Sequence, residues 1–284
     1  MHSIPRLFVW YRVYGESEQI RGPLSKVNVK PEKKPAQIKS KERVAAHGEV
    51  FTAEREVNAM LDLVKPETER IDSRFLEPAC GTGNFLVKIL ERKLDVVKKK
   101  YRRSPLDFER NSVLALSSIY GVDILADNAE TCRDRLFKIW NKAYKSVCKN
   151  DLNEDTQKSA QFILERNIVC GSALSLMKVD ENGNDTDSPI VFSEWAFVRG
   201  NTMQRKDYTF ADLMRIGEGS ELAMPSDEGE FLTQYTSDYR RLWQDDKQAY
   251  SRCLEWPCKL EQRRSVYAAR GSEPHARYAP AGTV

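Results

Sequence analysis

The chain lacks any apolar run near the roughly 20 residues that a membrane-spanning helix needs. Its N-terminal apolar patch, Leu7-Phe8-Val9-Trp10-Tyr11, is bracketed by Arg6 and Arg12 and is too short for the core of a secretory leader. A cytoplasmic location is therefore expected. Histidine is scarce: His2, His47 and His275 are the three present, and none of the six cysteines (Cys80, Cys132, Cys148, Cys170, Cys253, Cys258) forms a Cys-x-x-Cys pair. That argues against a zinc site, and a chain of this size does not depend on disulfide staples. The cysteines read as reduced, small buried side chains, and His47 as a loop or surface residue. An excess of one charge is missing too. The net charge of +3 neither demands nor excludes nucleic acid. No internal repeat is visible.

What is present suits a folded domain with a polar surface. The 284 residues are 40% hydrophobic and 31% charged, enough for one large domain or two small ones. Residues 1–40 mix aromatics, glycine, proline and lysine without a period and read as an N-terminal arm, extended around Val29 to Pro35. Residues 41–215 carry the pattern of an α/β domain. Residues 216–284 are poorly patterned, with no convincing alternating strand, a helix over Ser251 to Arg264 broken at Pro257, and a disorder-like tail from Arg270. Two lysine-rich stretches, Lys30 to Arg43 and Lys98-Lys99-Lys100 with Arg102-Arg103, either contact phosphates or simply solvate the surface.

Within 41–215, Val57, Met60, Leu61 and Val64 recur at helical spacing, with Thr52 at the place of an N-cap and Pro66 as the stop. A strand follows at Arg74 to Leu76, then a helix from Asn84 and another over Asn111 to Ser117. A second strand is expected at Ser118 to Ile124. Asp127 is expected to cap a long helix whose stripe Cys132, Leu136, Ile139, Trp140, Ala143 and Val147 reads as core. Asn167 to Cys170 and Pro189 to Ser193 are the third and fourth strands. Strands alternating with helices imply a parallel sheet with helices on both faces, right-handed crossovers, and a ligand at the carboxyl strand ends. Glu77, Asp123, Cys170-Gly171 and Ser193 would then line one pocket.

The most informative stretch is Phe75-Leu76-Glu77-Pro78-Ala79-Cys80-Gly81-Thr82-Gly83-Asn84-Phe85-Leu86. It reads as a strand end, an acid, a tight turn and a helix start. Gly81 and Gly83 let backbone pass close to a ligand, and the helix from Asn84 aims its amides into the turn. Glu77 beside the turn disfavours a nucleotide diphosphate and favours a ligand carrying a cation. S-adenosylmethionine, with an ammonium and a sulfonium, fits. Asp123, ending the next strand, can accept hydrogen bonds from two ribose hydroxyls, and Ile124 can cover an adenine face.

This block resembles the first motif of S-adenosylmethionine-dependent methyltransferases, in particular the adenine-N6 DNA methyltransferases of restriction–modification systems. Tyr120-Gly121-Val122-Asp123-Ile124-Leu125-Ala126-Asp127-Asn128-Ala129 resembles the motif that holds the ribose. Gly48-Glu49-Val50-Phe51-Thr52-Ala53 is similar to the N-terminal cofactor motif, with Ala53 where proline is usual. The resemblance implies a Rossmann-like methyltransferase sheet and cofactor contacts from Phe51, Thr52, Glu77, Pro78, Cys80, Gly81, Gly83, Asn84, Asp123, Ile124 and Ser172. Ser172 stands where the family usually carries an aspartate or asparagine. Phe51 has a second reading, as a hydrophobic staple on the following helix. The resemblance also implies DNA as a partner and a second methyltransferase or specificity chain.

It spans roughly residues 40–215 and leaves the catalytic residues unknown. The family's Asn/Asp/Ser-Pro-Pro-aromatic loop, which holds a flipped adenine, occurs nowhere in the chain. Either Ser193-Glu194-Trp195 takes its place, or the sheet is incomplete and another chain supplies the loop. A non-catalytic cofactor-binding subunit and a methyltransferase acting on protein or a small molecule are the other open readings.

Overall fold

The computed structural model describes residues 39–47, 49–217 and 232–244, and every contact discussed below lies within the compact unit that ends at Trp243. The expected arm over 1–38, the helix over Ser251 to Arg264 and the tail lie outside the described residues. The architecture is mixed α/β. Two helices, α1 (Lys41–His47) and α2 (Glu54–Leu63), precede a short α3 (Lys65–Thr68) and strand β1 (Phe75–Glu77). Next come α4 (Asn84–Tyr101), α5 (Pro105–Ser117), β2 (Ile119–Asp123), α6 (Ala126–Cys148), α7 (Glu154–Asn167) and β3 (Ile168–Cys170). The described chain continues with β4 (Met177–Val179), β5 (Asp185–Pro189), β6 (Val191–Arg199), β7 (Thr202–Thr209), α8 (Phe210–Gly217) and β8 (Thr233–Asp238).

β1, β2 and β3 form a parallel sheet in that order, with Glu77 opposite Gly121 and Asp123 opposite Cys170. Both crossovers step the same way along the sheet, so right-handed connections put their helices on one face. Phe75, Ile119 and Ile168 point into that face and pack with Leu86, Ile89 and Leu90 of α4, Leu136 and Trp140 of α6, and Ile163 of α7. Alternation sends Leu76, Tyr120 and Val122 to the other face. There they meet Ile190, Phe192, Tyr208, Phe210 and Leu213.

That second face corrects the expectation of helices on both sides. Apart from α8, antiparallel strands cover it. The expected fourth parallel strand over Pro189 to Ser193 is instead the end of β5, which pairs antiparallel with β4, and the start of β6, which pairs antiparallel with β7. β8 completes the β6-β7-β8 sheet, so an alternating strand does exist beyond residue 215. Its residues Thr233-Gln234-Tyr235-Thr236-Ser237-Asp238 alternate in burial but not in polarity, which hid it from a hydrophobicity pattern. Two caps also differ. α2 is preceded by Ala53, with no side-chain cap from Thr52, and Asp127 lies inside the first turn of α6 rather than before it. No helix among the described residues is long and apolar enough to cross a membrane.

At the amino end of the parallel sheet, Lys93 of α4 is fully buried. Its ammonium donates to the Ser73 carbonyl, to Ser118 Oγ at 2.5 Å and to the Ile71 carbonyl at 3.3 Å. Burial, the largest influence, pushes its pKa down to about 7. The unfolded chain then binds more protons than the folded one between about pH 7 and the ordinary lysine value near 10.4, and stability linked to Lys93 rises with pH across that window. Lys93→Met removes the group. Its stability advantage over wild type is expected to be greatest below pH 7 and to shrink by about 1.4 kcal/mol per pH unit above it. Urea unfolding at pH 6, 7.5 and 9 checks this, and a difference that does not change with pH would refute it.

Candidate functional site

Most of the residues expected at the pocket meet at the carboxyl ends of β1 and β2. The backbone turns sharply after Glu77. Gly81 and Gly83 both take positive φ, +50° and +84°, which side chains disfavour. The Cys80 amide donates to the Val122 carbonyl at 2.8 Å and the Gly83 amide to the Cys80 carbonyl at 2.8 Å, which pins the turn to the end of β2. A Cβ at Gly83 would lie 2.6 Å from Cys132 Sγ, so the turn sits directly on α6. Cys80 is buried, and the neighbouring Cys132 thiol together with burial holds its own thiol well above the usual value. A protonated, enclosed thiol fills space and is no nucleophile.

Asp123 closes the turn. Its Oδ2 accepts from the Gly81 amide at 2.7 Å, and its Oδ1 accepts from the Leu125 amide at 2.9 Å and from Asn128 Nδ2 at 3.2 Å. Its side chain therefore joins two loops at the same strand end. Each oxygen has two lone pairs, so Oδ2 keeps acceptor capacity toward a ligand. Glu77, buried at the tip of β1, brings a second carboxylate to this edge.

The N-terminal segment lies across the turn. The Phe51 ring is 3.3 Å from where a Gly81 Cβ would be, and Asn84 Nδ2 donates to the Thr52 carbonyl at 3.2 Å. Glu49 accepts from Asn128 Nδ2 at 2.7 Å and pairs with Arg43 at 2.5 Å. Arg43 is the main reason the Glu49 carboxyl titrates below its ordinary range, and Arg43 likewise holds Asp127 low. Phe51, Thr52, Cys80, Gly81, Gly83, Asn84 and Asp123 are thus joined by direct contacts. Pro78 is exposed in the loop after Glu77, and Ile124 is 40% exposed at the rim. Ser172 begins the turn after β3, where its Oγ accepts from the Ser175 amide at 3.3 Å. The Gly171 amide ties that turn back to the Asp123 carbonyl at 2.9 Å.

Ser193 does not join the pocket. Ser193, Glu194 and Trp195 lie inside β6, not in a loop after a strand. Ser193 Oγ donates to Asp207 at 2.6 Å, Glu194 pairs with Arg74 at 2.6 Å, and Trp195 Nε1 donates to Asn167 at 3.0 Å. Ser193 ties β6 to β7 within one sheet, Glu194 ties β6 to the residue before β1, and Trp195 ties β6 to α7.

No protein-family model matches the chain, and no solved structure matches it. Over 115 residues, 38% of its length, it is 30% identical to the "Putative type II restriction enzyme and methyltransferase RM.MjaORFECS2P" of Methanocaldococcus jannaschii. The chain spans about 9% of that protein's length. The similarity is distant and partial, and it points toward restriction–modification proteins.

Several residues of the site were not anticipated. Asn128, Cys132 and Arg135 of α6 stand at i, i+4 and i+7, one face of the helix. Asn128 reaches Asp123, Cys132 lies under Gly83, and Arg135 Nη1 donates to the Thr82 carbonyl at 2.6 Å and to Asn84 Oδ1 at 2.9 Å. For Asn128 the readable signal was a polar residue one turn ahead of the buried stripe of α6; Cys132 was read as core of that stripe, and Arg135 lies beside the stripe with no signal of its own.

Proposed function

We propose that the pocket at the ends of β1 and β2 binds S-adenosylmethionine and that residues 41–215 are the cofactor-binding part of a Rossmann-like adenine-N6 DNA methyltransferase of a restriction–modification system. The observation that carries this reading is the glycine turn closed by Asp123 Oδ2 on the Gly81 amide at 2.7 Å. It brings an acid able to hold ribose hydroxyls, a second acid at Glu77 suited to a cationic ligand, and the edge of Phe51 to one place. The partial similarity to a restriction enzyme and methyltransferase agrees with it.

In this reading Asp123 holds the ribose, Ile124 and Ser172 border the adenine, Phe51 packs on the nucleoside, and Glu77 faces the cationic end. Pro78, Cys80, Gly81, Gly83 and Asn84 shape the turn around it. Bound S-adenosylmethionine supplies an already activated methyl group, so the protein's part is alignment and exclusion of water. DNA is the expected methyl acceptor.

A second reading is favoured by the engagement of Ser193, Glu194 and Trp195 and by the missing Pro-Pro loop. The chain would then present the cofactor while a partner chain supplies the adenine-holding loop. Calorimetric titration with S-adenosylmethionine, followed by labelled methyl transfer to unmethylated DNA, separates the readings. Binding with transfer supports the enzyme, binding without transfer supports the subunit, and no binding sinks both. Asp123→Asn is expected to weaken cofactor affinity roughly 10- to 100-fold, the worth of hydrogen bonds to a charged acceptor. Unchanged affinity would remove Asp123 from the ribose.

A further inference from the structure

Asn128 is 1% exposed in the first turn of α6. Its single amide nitrogen serves two carboxylates, Glu49 Oε1 at 2.7 Å and Asp123 Oδ1 at 3.2 Å. Its oxygen accepts from Lys39 Nζ at 2.6 Å and from Arg43 Nη2 at 3.4 Å. Two acids converging on one donor repel each other unless a cation stands by. Arg43 is that cation. It holds Glu49 at two points, 2.5 and 3.0 Å, and reaches Asp127 at 3.0 and 3.1 Å. The Glu49 side chain is 7% exposed and Asp127 54%. The outer pairs to Asp127 are therefore of the solvent-screened kind, worth little, and the strength of the network lies in the inner Glu49–Asn128–Asp123 line.

The same N-terminal segment touches the glycine turn at Phe51 and at the Thr52 carbonyl. Among the described residues, the hydrogen bonds that hold it there run to Asn84 at the start of α4 and to Asp127 and Asn128 in the first turn of α6. Among the described side chains of residues 41–45 and 49–51, none belongs to the core that holds the sheet together.

We propose that Asn128 is a positioning residue and that α1 with residues 49–52 is a strap latched over the pocket through Glu49, Asn128 and Asp123. Closing the strap then completes, through Asn128, the set of donors on an Asp123 carboxylate that the Gly81 and Leu125 amides already hold. A ligand held by Asp123 is enclosed by the strap, and its release requires the Asn128–Glu49 bond and the outer Arg43–Asp127 pairs to part, while the Arg43–Glu49 pair lies within the strap and moves with it. This rests on the pocket being the S-adenosylmethionine site.

Two measurements on the full chain test it: backbone hydrogen exchange over residues 41–52 without ligand, and titration with S-adenosylmethionine. Asn128→Ala, Glu49→Ala and the double variant are compared with wild type. Each single change is expected to raise strap exchange about tenfold or more and to weaken cofactor binding by about tenfold, the loss of one charged hydrogen bond. The double variant is expected to lose no more than the worse single one, because both act through one line of contacts. Glu49→Ala alters the strap itself and keeps the test intact should Asn128→Ala fail to fold. Unchanged exchange overturns the latch. Raised exchange with unchanged affinity overturns the positioning role, and additive losses overturn the shared line. If wild type binds no cofactor, the functional reading fails, while the exchange result still decides whether the strap is latched.

Discussion

Gly83→Ala is expected to abolish measurable cofactor binding and to cost roughly 2–5 kcal/mol of stability, combining left-handed backbone strain with overpacking. The two contributions are separable. At φ +84° an L-residue is strained by about 1–2 kcal/mol wherever it sits. The new methyl would also lie 2.6 Å from Cys132 Sγ, in a fully buried part of α6 that cannot yield without moving the helix, an overpacking cost of about 1–3 kcal/mol. Gly183, at φ +80° with nothing within 4 Å of its Cβ position, is the control for the first contribution alone. Gly183→Ala should cost about 1–2 kcal/mol and leave the pocket untouched. Cys132→Ala in the Gly83→Ala background makes room for the methyl but leaves the torsion strained, so it should return only the packing part. Urea unfolding of these three variants and of Cys132→Ala alone gives both numbers. A Gly83→Ala protein no less stable than Gly183→Ala would mean that the turn does not rest on α6 as described.

The glycine turn was legible because its residues sit on short, contiguous stretches. Phe75 to Leu86 contains the strand end, the acid, both glycines and the helix start, and each has a local physical signature. Asp123 ends a strand whose five residues are all buried, so its place at the sheet edge followed from the pattern. The second face of the sheet was hidden for the opposite reason. β6 has a buried stretch at Phe192, Ser193 and Trp195, yet its serine is buried because Asp207, fourteen residues on, accepts a hydrogen bond from its hydroxyl. β7 buries Arg205 and Asp207, residues that any hydrophobicity reading assigns to solvent. Buried polar residues balanced by partners distant in sequence leave no periodic trace. Asn128 and Glu49 escaped for the same reason: 79 residues separate them, and only the fold brings them together. The lysine-rich run at the end of α4 gains no phosphate role from the structure. Its exposed lysines stand at a helix C-terminus, where cations suit the helix dipole.

Arg205→Ala is expected to destabilise the protein by about 3–5 kcal/mol, the cost of leaving one member of a buried ion pair without the other. Arg205 is 1% exposed and Asp207 5% exposed, and they meet through two bonds, Nε to Oδ1 at 3.0 Å and Nη2 to Oδ2 at 2.9 Å. Ser193 of β6 and Thr233 of β8 donate to the same carboxylate at 2.6 and 2.9 Å, so Asp207 collects all three strands at one point. The Arg205 guanidinium also lies 4.1 Å from the Tyr235 ring on β8. Without it the carboxylate keeps two neutral donors, too little for a charge out of water. Adding Asp207→Asn removes the charge, and the double variant should be more stable than Arg205→Ala alone although it has lost more native contacts. β8 depends most on this point, since Thr233 and Tyr235 both lean on the pair. Its amides should exchange first in the single variant, ahead of β1, β2 and the glycine turn. If Arg205→Ala instead loosens the turn as early as β8, the antiparallel sheet and the turn unfold as one unit, because Phe192 and Tyr208 share one core cluster with Leu76 and Val122. Exchange at β8 no faster than in wild type would mean that Asp207 does not hold the three strands together.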